Sequence, residues 1–266
     1  MILKNNKFTL VEMVVVIAVL LILVSLLQTS LTNVLTKAKS MDCSNNLKNL
    51  GTGVAMYTQD EGYFPVAVPA MGSNEWAWPA QVRMYLHGSD STANFNCPSA
   101  PKEAHWVAKY DSANKVPARM GYYQDEMRLP QAVNKKIMSY GYNAQGPWGQ
   151  RGLGVVFNHP DPRFGFVKPH EVIRPNNMIA LADSNWDIPG LGEANIYGRG
   201  SKDWSSLVAM YSEDQWPLDL HDFKANINFV DGHVESLWRF EFVAQLNTEK
   251  IDKDNAQKKW NRTGLP

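Results

Sequence analysis

The sequence predicts an α+β protein in which one long N-terminal helix, half of it in a membrane, carries a turn-rich antiparallel β-sheet head. Three observations lead there. Residues 13–24 are apolar without interruption. An apolar stripe at helical spacing then continues as far as Tyr57. After Gly62 the chain changes to short apolar runs separated by Pro, Gly and Asn, which is the pattern of short strands joined by turns.

The helix comes first. Residues 8–27 supply about the 20 positions a helix needs to cross roughly 30 Å of hydrocarbon. Lys4 and Lys7 precede them, which by the positive-inside rule keeps the N-terminus in the cytoplasm and sends the rest of the chain across. A cleaved secretory signal is the alternative, but the apolar core runs into SLLQTSLTNVLTKAKS, without the A-x-A-like small residues of a cleavage site. One acid interrupts the apolar segment near its start. A charge deep in a bilayer costs roughly 2.5–3.5 kcal/mol even on lenient insertion scales, so Glu12 needs a partner.

Leu31, Val34, Leu35 and Ala38, and then Cys43, Leu47, Leu50, Val54 and Tyr57, recur at spacings of three and four. They predict one stripe on a helix running to DEGYFP, where Gly62 can cap and Pro65 cannot continue. A helix over residues 8–60 is about 80 Å long, half in lipid and half laid against the head. Gly51 and Gly53 each weaken it by about 1 kcal/mol relative to Ala. Packing against the head must offset that.

The bulk composition narrows the function. The 266 residues hold 26 Lys plus Arg and 26 Asp plus Glu, so there is no basic field to gather nucleic acid. Cys43 and Cys97 fit no metal-ligand spacing. Outside the cytoplasm they can form one disulfide, with two separate thiols as the alternative.

KFTLVEMVVVIAVLLIL resembles the N-terminal processing and methylation segment of type IV pilins and type II secretion pseudopilins. The resemblance implies cleavage by a prepilin peptidase between Lys7 and Phe8 and methylation of the new amine on Phe8. It also implies a role for Glu12, the fifth residue of the mature chain, whose carboxylate pairs with the Phe8 amine of a neighbouring subunit during assembly. Two charges that are expensive alone in lipid become tolerable together. Lys7 stands where the family usually has Gly, so an uncleaved single-pass anchor is the alternative.

In the head, HDFKANINFVDGHVESLWRF places Asp231-Gly232 between two runs of strand formers. A two-residue type I′ turn there makes Val230 face His233, Phe229 face Val234 and Ile227 face Ser236, with Phe229 and Val234 on one face. MIALAD (178–183) and INFV (227–230) read as strands, WPAQVRMYL (78–86) as a short helix, and residues 247–266 as a loosely held helix or coil. His221, nine residues, then Asp231-Gly232 resembles the C-terminal motif of the prepilin-processing-associated pilin-like proteins of Planctomycetes, Verrucomicrobia and their relatives. Further fragments agree: CSNNLKNLGTGVAMYTQDEGYFP, FNCPSA, SYGYNAQG and IALADSN.

His221, Asp222, Asp231 and His233 are metal-ligating types, but the favoured reading is structural, with His221 tethering a loop and no metal assigned. Calcium held by the acidic segment at 212–222 is a minor alternative, without EF-hand spacing. Trp76, Trp78, Trp148, Trp186, Trp204 and Trp216 lie in loop-like segments. They are either core filler or platforms for sugar rings. Ser184 beside Asp183, with His221 further on, forms no recognisable hydrolase motif, and GQRGLG (149–154) reads as a turn-rich loop.

The expectation is thus a leader at 1–7, a long helix at 8–60 spanning the membrane at 8–27, and a pilin-like α+β head at 61–266. Such a chain is a non-enzymatic structural subunit of a type II secretion or type IV pilus-like machine. It sits in the bacterial inner membrane with its head in the periplasm or at the cell surface. Its partners are the prepilin peptidase, other pilin-like subunits and the membrane, with no nucleic acid and no cofactor. A surface-anchored head that captures polysaccharide through its loop tryptophans is the rival.

Overall fold

The computed structural model describes residues 9–65, 78–86, 93–100, 139–143, 152–154, 166–183, 219–243 and 249–263. Helix α1 runs from Leu10 to Glu61, 52 residues or about 78 Å. Its start is a capping box. The Thr9 hydroxyl accepts the Glu12 N–H, and the Glu12 carboxylate accepts the Thr9 N–H. Gly62 ends it with φ of 80°, donating its N–H to the Thr58 carbonyl, a left-handed cap that glycine adopts without strain.

The two halves of α1 differ in surroundings. Its apolar stretch has a mean hydropathy of 3.1 over 18 residues, none of it buried, and is long and apolar enough to cross a membrane. The other half is gripped by the head: Cys43, Leu47, Leu50, Val54 and Tyr57 are all buried. Leu31, Val34 and Leu35, expected on the same packed stripe, are instead 53%, 59% and 52% exposed. The reason is size. Among the described residues the sheet has four short strands, measures about 15 Å from first to last and covers only part of so long a helix.

The sheet is antiparallel throughout, in the order β1 (Tyr140–Tyr142), β2 (Ile179–Asp183), β3 (Lys224–Phe229) and β4 (Val234–Trp238). With α1 it makes an α+β architecture. One core cluster joins Cys43, Leu47, Leu50 and Val54 of α1 to Tyr140, Tyr142 and Leu181 of the sheet, and to Trp78 and Val82 of a short helix α2 (Trp78–Arg83). A second joins Ala182, Ala225, Ile227, Phe229 and Leu237 to Phe242, Val243 and Trp260 near the C-terminus. The sheet is therefore covered on both faces.

Strand β3 turns polar residues toward α1. Asn226 Nδ2 donates to the Ser40 carbonyl at 3.3 Å, and Asn228 lies against Gly51. A Cβ at Gly51 would lie 2.5 Å from Asn228 Nδ2, and one at Gly53 would lie 2.6 Å from Val82 Cγ1. At both glycines that weaken the helix locally the head leaves too little room for a Cβ.

The β3–β4 register differs from the expected one by a residue. Asn228 faces Val234 and Asn226 faces Ser236, because the loop has three residues, not two. Gly232 N–H donates to the Phe229 carbonyl, Phe229 N–H to the His233 carbonyl, and Gly232 takes φ of 91°. This is a turn closed by a left-handed glycine. A slip of one residue exchanges the faces, so Phe229 and Val234 pack against different clusters.

The C-terminal segment is also held more firmly than its polarity implies. Helix α3 (Lys250–Lys258) leads to Trp260, which is fully buried and donates its indole N–H to the Phe242 carbonyl at 2.6 Å. The Lys259 and Arg262 carbonyls accept from Ile179 and Ile173, tying the segment to β2 and the turn before it.

Candidate functional site

The interior of the head holds a polar cluster assembled from four separate parts of the chain. Cys43 lies on α1 and Cys97 just after a 3-10 turn at Ala93–Phe95, and the two form a disulfide with a Cα–Cα distance of 4.9 Å. Asp183 is the last residue of β2. His221 is set by a tight turn into β3, in which His221 and Lys224 exchange both backbone hydrogen bonds (3.0 and 3.2 Å) around Asp222 and Phe223. Those two central residues take φ of 56° and 62°, the left-handed pair of a type I′ turn, here without glycine.

The turn points the imidazole inward. His221 Nε2 lies 3.3 Å from Asp183 Oδ2 and 3.6 Å from Cys97 Sγ. Asp183 Oδ2 also accepts the Asn226 N–H at 2.7 Å. Tyr140 stands opposite Asp183 in the ladder and donates its hydroxyl to the Cys43 carbonyl at 3.3 Å. Asp183 is completely buried, and burial raises its pKa, opposed by the hydrogen bond and charge of His221 and by the Asn226 N–H. Tyr140 is pushed up by its own burial first and by the Asp183 charge second. Among the described residues, Asp183 Oδ1 and His221 Nδ1 are buried without a hydrogen-bond partner.

The chemistry follows from which nitrogen is used. In a hydrolytic triad the acid and the nucleophile hold opposite nitrogens of the imidazole. Here Asp183 and the sulfur both face Nε2, and that sulfur is bonded to another. The group is not a nucleophile with its base. It cross-links α1, the loop after the 3-10 turn, β2 and the entry to β3, and breaking one partner would strand a buried polar group.

The spacing of the His221 to Asp231-Gly232 motif also becomes legible. His221 begins the turn into β3 and Asp231-Gly232 closes the loop out of it, so the interval is the length of one strand with its two turns. Asp231 stays at the surface, where its Oδ1 accepts the His233 N–H at 3.2 Å and pairs with His233 Nδ1. Glu235 approaches the other nitrogen of the ring at 3.6 Å. The four residues weighed as a ligand set thus divide, His221 in the interior and Asp222, Asp231 and His233 outside it.

Glu12 has a partner within its own chain, accepting from the Thr9 N–H at 2.7 Å and the Thr9 hydroxyl at 2.8 Å. Lys7 and Phe8 lie outside the described residues, as do Trp76, Trp148, Trp186, Trp204, Trp216, Ser184 and most of the acidic segment at 212–222. Within that segment, Asp219 lies 3.9 Å from Arg239. Trp78 is buried and stacks on Tyr142 with ring centroids 5.7 Å apart, which makes it core filler.

Sequence reasoning placed no role on Asp183 as a partner of His221, on Asn226, or on the nearness of His221 to the disulfide. These contacts join positions 38 and more residues apart, and no periodicity encodes them. Comparison of the chain with protein-family models, with curated proteins and with solved structures finds no match.

Proposed function

We propose that this chain is a structural, pilin-like subunit that is anchored by α1 and assembles through it into a type II secretion or type IV pilus-like envelope machine. One observation carries the reading: a single helix has an apolar half that no described residue covers and a second half packed into a folded head. Exposed apolar surface on this scale does not persist in water; it requires lipid or other helices. Lipid accounts for about 20 residues. Leu31, Val34, Leu35 and Met41 extend the exposed apolar surface beyond that length, which supports contact with neighbouring helices.

In this reading the chain enters the bacterial inner membrane with its N-terminus cytoplasmic, and a prepilin peptidase releases Phe8. Glu12 caps its own helix in the isolated subunit. On assembly it exchanges Thr9 for the amine of a neighbour's Phe8, which keeps the carboxylate paired in lipid. The head, cross-linked through the Cys43–Cys97 disulfide and the His221–Asp183 pair, presents a surface that does not yield when the helix is pulled or packed.

The test is Glu12→Ala in the native host, scored by membrane fractionation and by in-cell cross-linking of α1. Insertion stays normal and cross-linked multimers disappear. Multimers at wild-type yield would contradict the proposal.

A further inference from the structure

Independently of that reading, we propose that in its reduced form the chain binds one zinc-type divalent cation at Cys43, Cys97, His221 and Asp183. The donor atoms of the two cysteines and His221 already lie within 4.8 Å of one another, all three residues buried, and Asp183 Oδ2 is 3.3 Å from the imidazole nitrogen. Two of these spacings match edges of a tetrahedron. With metal–sulfur bonds of about 2.3 Å and metal–nitrogen or –oxygen bonds of about 2.0 Å, the sulfur-to-nitrogen edge is about 3.5 Å and the nitrogen-to-oxygen edge about 3.3 Å. The structure has 3.6 Å for Cys97 Sγ to His221 Nε2 and 3.3 Å for His221 Nε2 to Asp183 Oδ2. The remaining changes are the sulfur pair opening from a bond to about 3.8 Å, the tetrahedral sulfur–sulfur edge, and the Asp183 carboxylate, which stands outside the group of three donors within 4.8 Å, closing on the sulfurs as the fourth ligand.

The cluster is also incompletely paired on the side away from the proposed ligand atoms. Among the described residues Asp183 Oδ1 and His221 Nδ1 are buried with no hydrogen-bond partner, although nearly all such atoms in folded proteins have one. A divalent cation on the Oδ2 side would add positive charge beside the Asp183 carboxylate, whose charged form burial disfavours. Two thiolates and an imidazole select a borderline or soft ion, and calcium, which takes six to eight oxygens, does not fit.

The redox step balances with a thiol reductant. A dithiol gives two electrons and two protons to the Cys43–Cys97 bond, yielding two thiols and its own disulfide. Metal binding then releases both thiol protons, and the His221 ring proton moves from Nε2 to Nδ1 so that Nε2 can ligate. A newly made chain is in this reduced state until it meets an oxidising compartment. The cluster therefore has two alternative cross-links, a metal before oxidation and a disulfide after it.

The experiment uses the full chain in detergent, reduced with dithiothreitol, freed of reductant without air, and titrated with Co²⁺. One equivalent should produce the thiolate-to-cobalt charge-transfer band and the visible bands of a tetrahedral ion, and Zn²⁺ should abolish both. The oxidised chain should show neither. His221→Ala should weaken binding by at least about tenfold. Because that variant can misfold, X-ray absorption of the zinc-loaded wild type decides separately, with two sulfurs at about 2.3 Å and two lighter atoms at about 2.0 Å expected. Absence of the charge-transfer band, a shell of three or four sulfurs, or undiminished binding by folded His221→Ala would each overturn the proposal.

Discussion

Replacing both Cys43 and Cys97 by Ala removes the one covalent link between α1 and the loop after the 3-10 turn. The closed loop is set by a sequence separation of 54. The chain-entropy relation converts that separation to about 4 kcal/mol at 25 °C. Urea unfolding of the full chain in detergent measures it, because Trp78 lies in the same core cluster as both cysteines and reports its opening by fluorescence. With a slope of about 2.5 kcal/mol/M, the midpoint should fall by about 1.5 M. The slope itself should rise, since an unlinked denatured chain exposes more surface. A shift below about 0.3 M at that slope would mean that the bridge restrains nothing the head does not already restrain, and would refute the view of this cluster as a cross-link between the head and α1.

Three further changes test neighbouring claims. Gly53→Ala gains about 1 kcal/mol of helix propensity but drives a Cβ to 2.6 Å from Val82 Cγ1, an overpacking cost of about 1–3 kcal/mol; a lower melting temperature is expected, and a higher one would show that α2 does not press on α1 there. Burial raises the Asp183 pKa, so the folded state holds that proton more tightly than the unfolded one, and the Asp183 contribution to stability declines as pH rises from its ordinary value, 3.8, through its folded value. Wild type should therefore lose stability relative to Asp183→Asn across that window in urea midpoints, and a gap moving the other way would mean that pairing with His221 outweighs burial. Phe223→Gly relieves about 1–2 kcal/mol of left-handed strain at an exposed residue with φ of 62°, less about 0.5–1 kcal/mol of added chain entropy; a small gain in midpoint is expected, and a loss would show that the ring makes contacts worth more than its strain.

The parts legible in the sequence were those written in local periodicity. The stripe Cys43, Leu47, Leu50, Val54, Tyr57 is a 4-3-4-3 repeat, and its burial needs nothing beyond one face of a helix. Gly62 followed by Pro65 marks the end of α1 to within a residue. The β3–β4 register was not legible because Asp-Gly suits both a two-residue loop and a three-residue loop closed by a left-handed glycine. What separates the two is a tertiary preference, for Asn226 and Asn228 to meet Ser40 and Gly51 on α1, and polar residues on a core-facing strand side break the usual alternation. The exposure of Leu31, Val34 and Leu35 escaped for the opposite reason, since their periodicity is intact and only the extent of the head decides what it covers. Trp260 was hidden by its polar surroundings, although its buried indole, bonded to the Phe242 carbonyl, helps to anchor residues 249–263. The His221 cluster joins four segments far apart in sequence, whereas the spacing from His221 to Asp231-Gly232 reflects only the length of β3 and its turns.

The reading of α1 as an assembly helix depends on what stands at its start. Intact-mass and N-terminal peptide mass spectrometry of the protein purified from its native membrane measures this directly. The account predicts a chain beginning at Phe8 with a methylated amine, which supplies the charge that Glu12 meets in the assembled state. An intact leader through Lys7 in every molecule would remove that amine and contradict it.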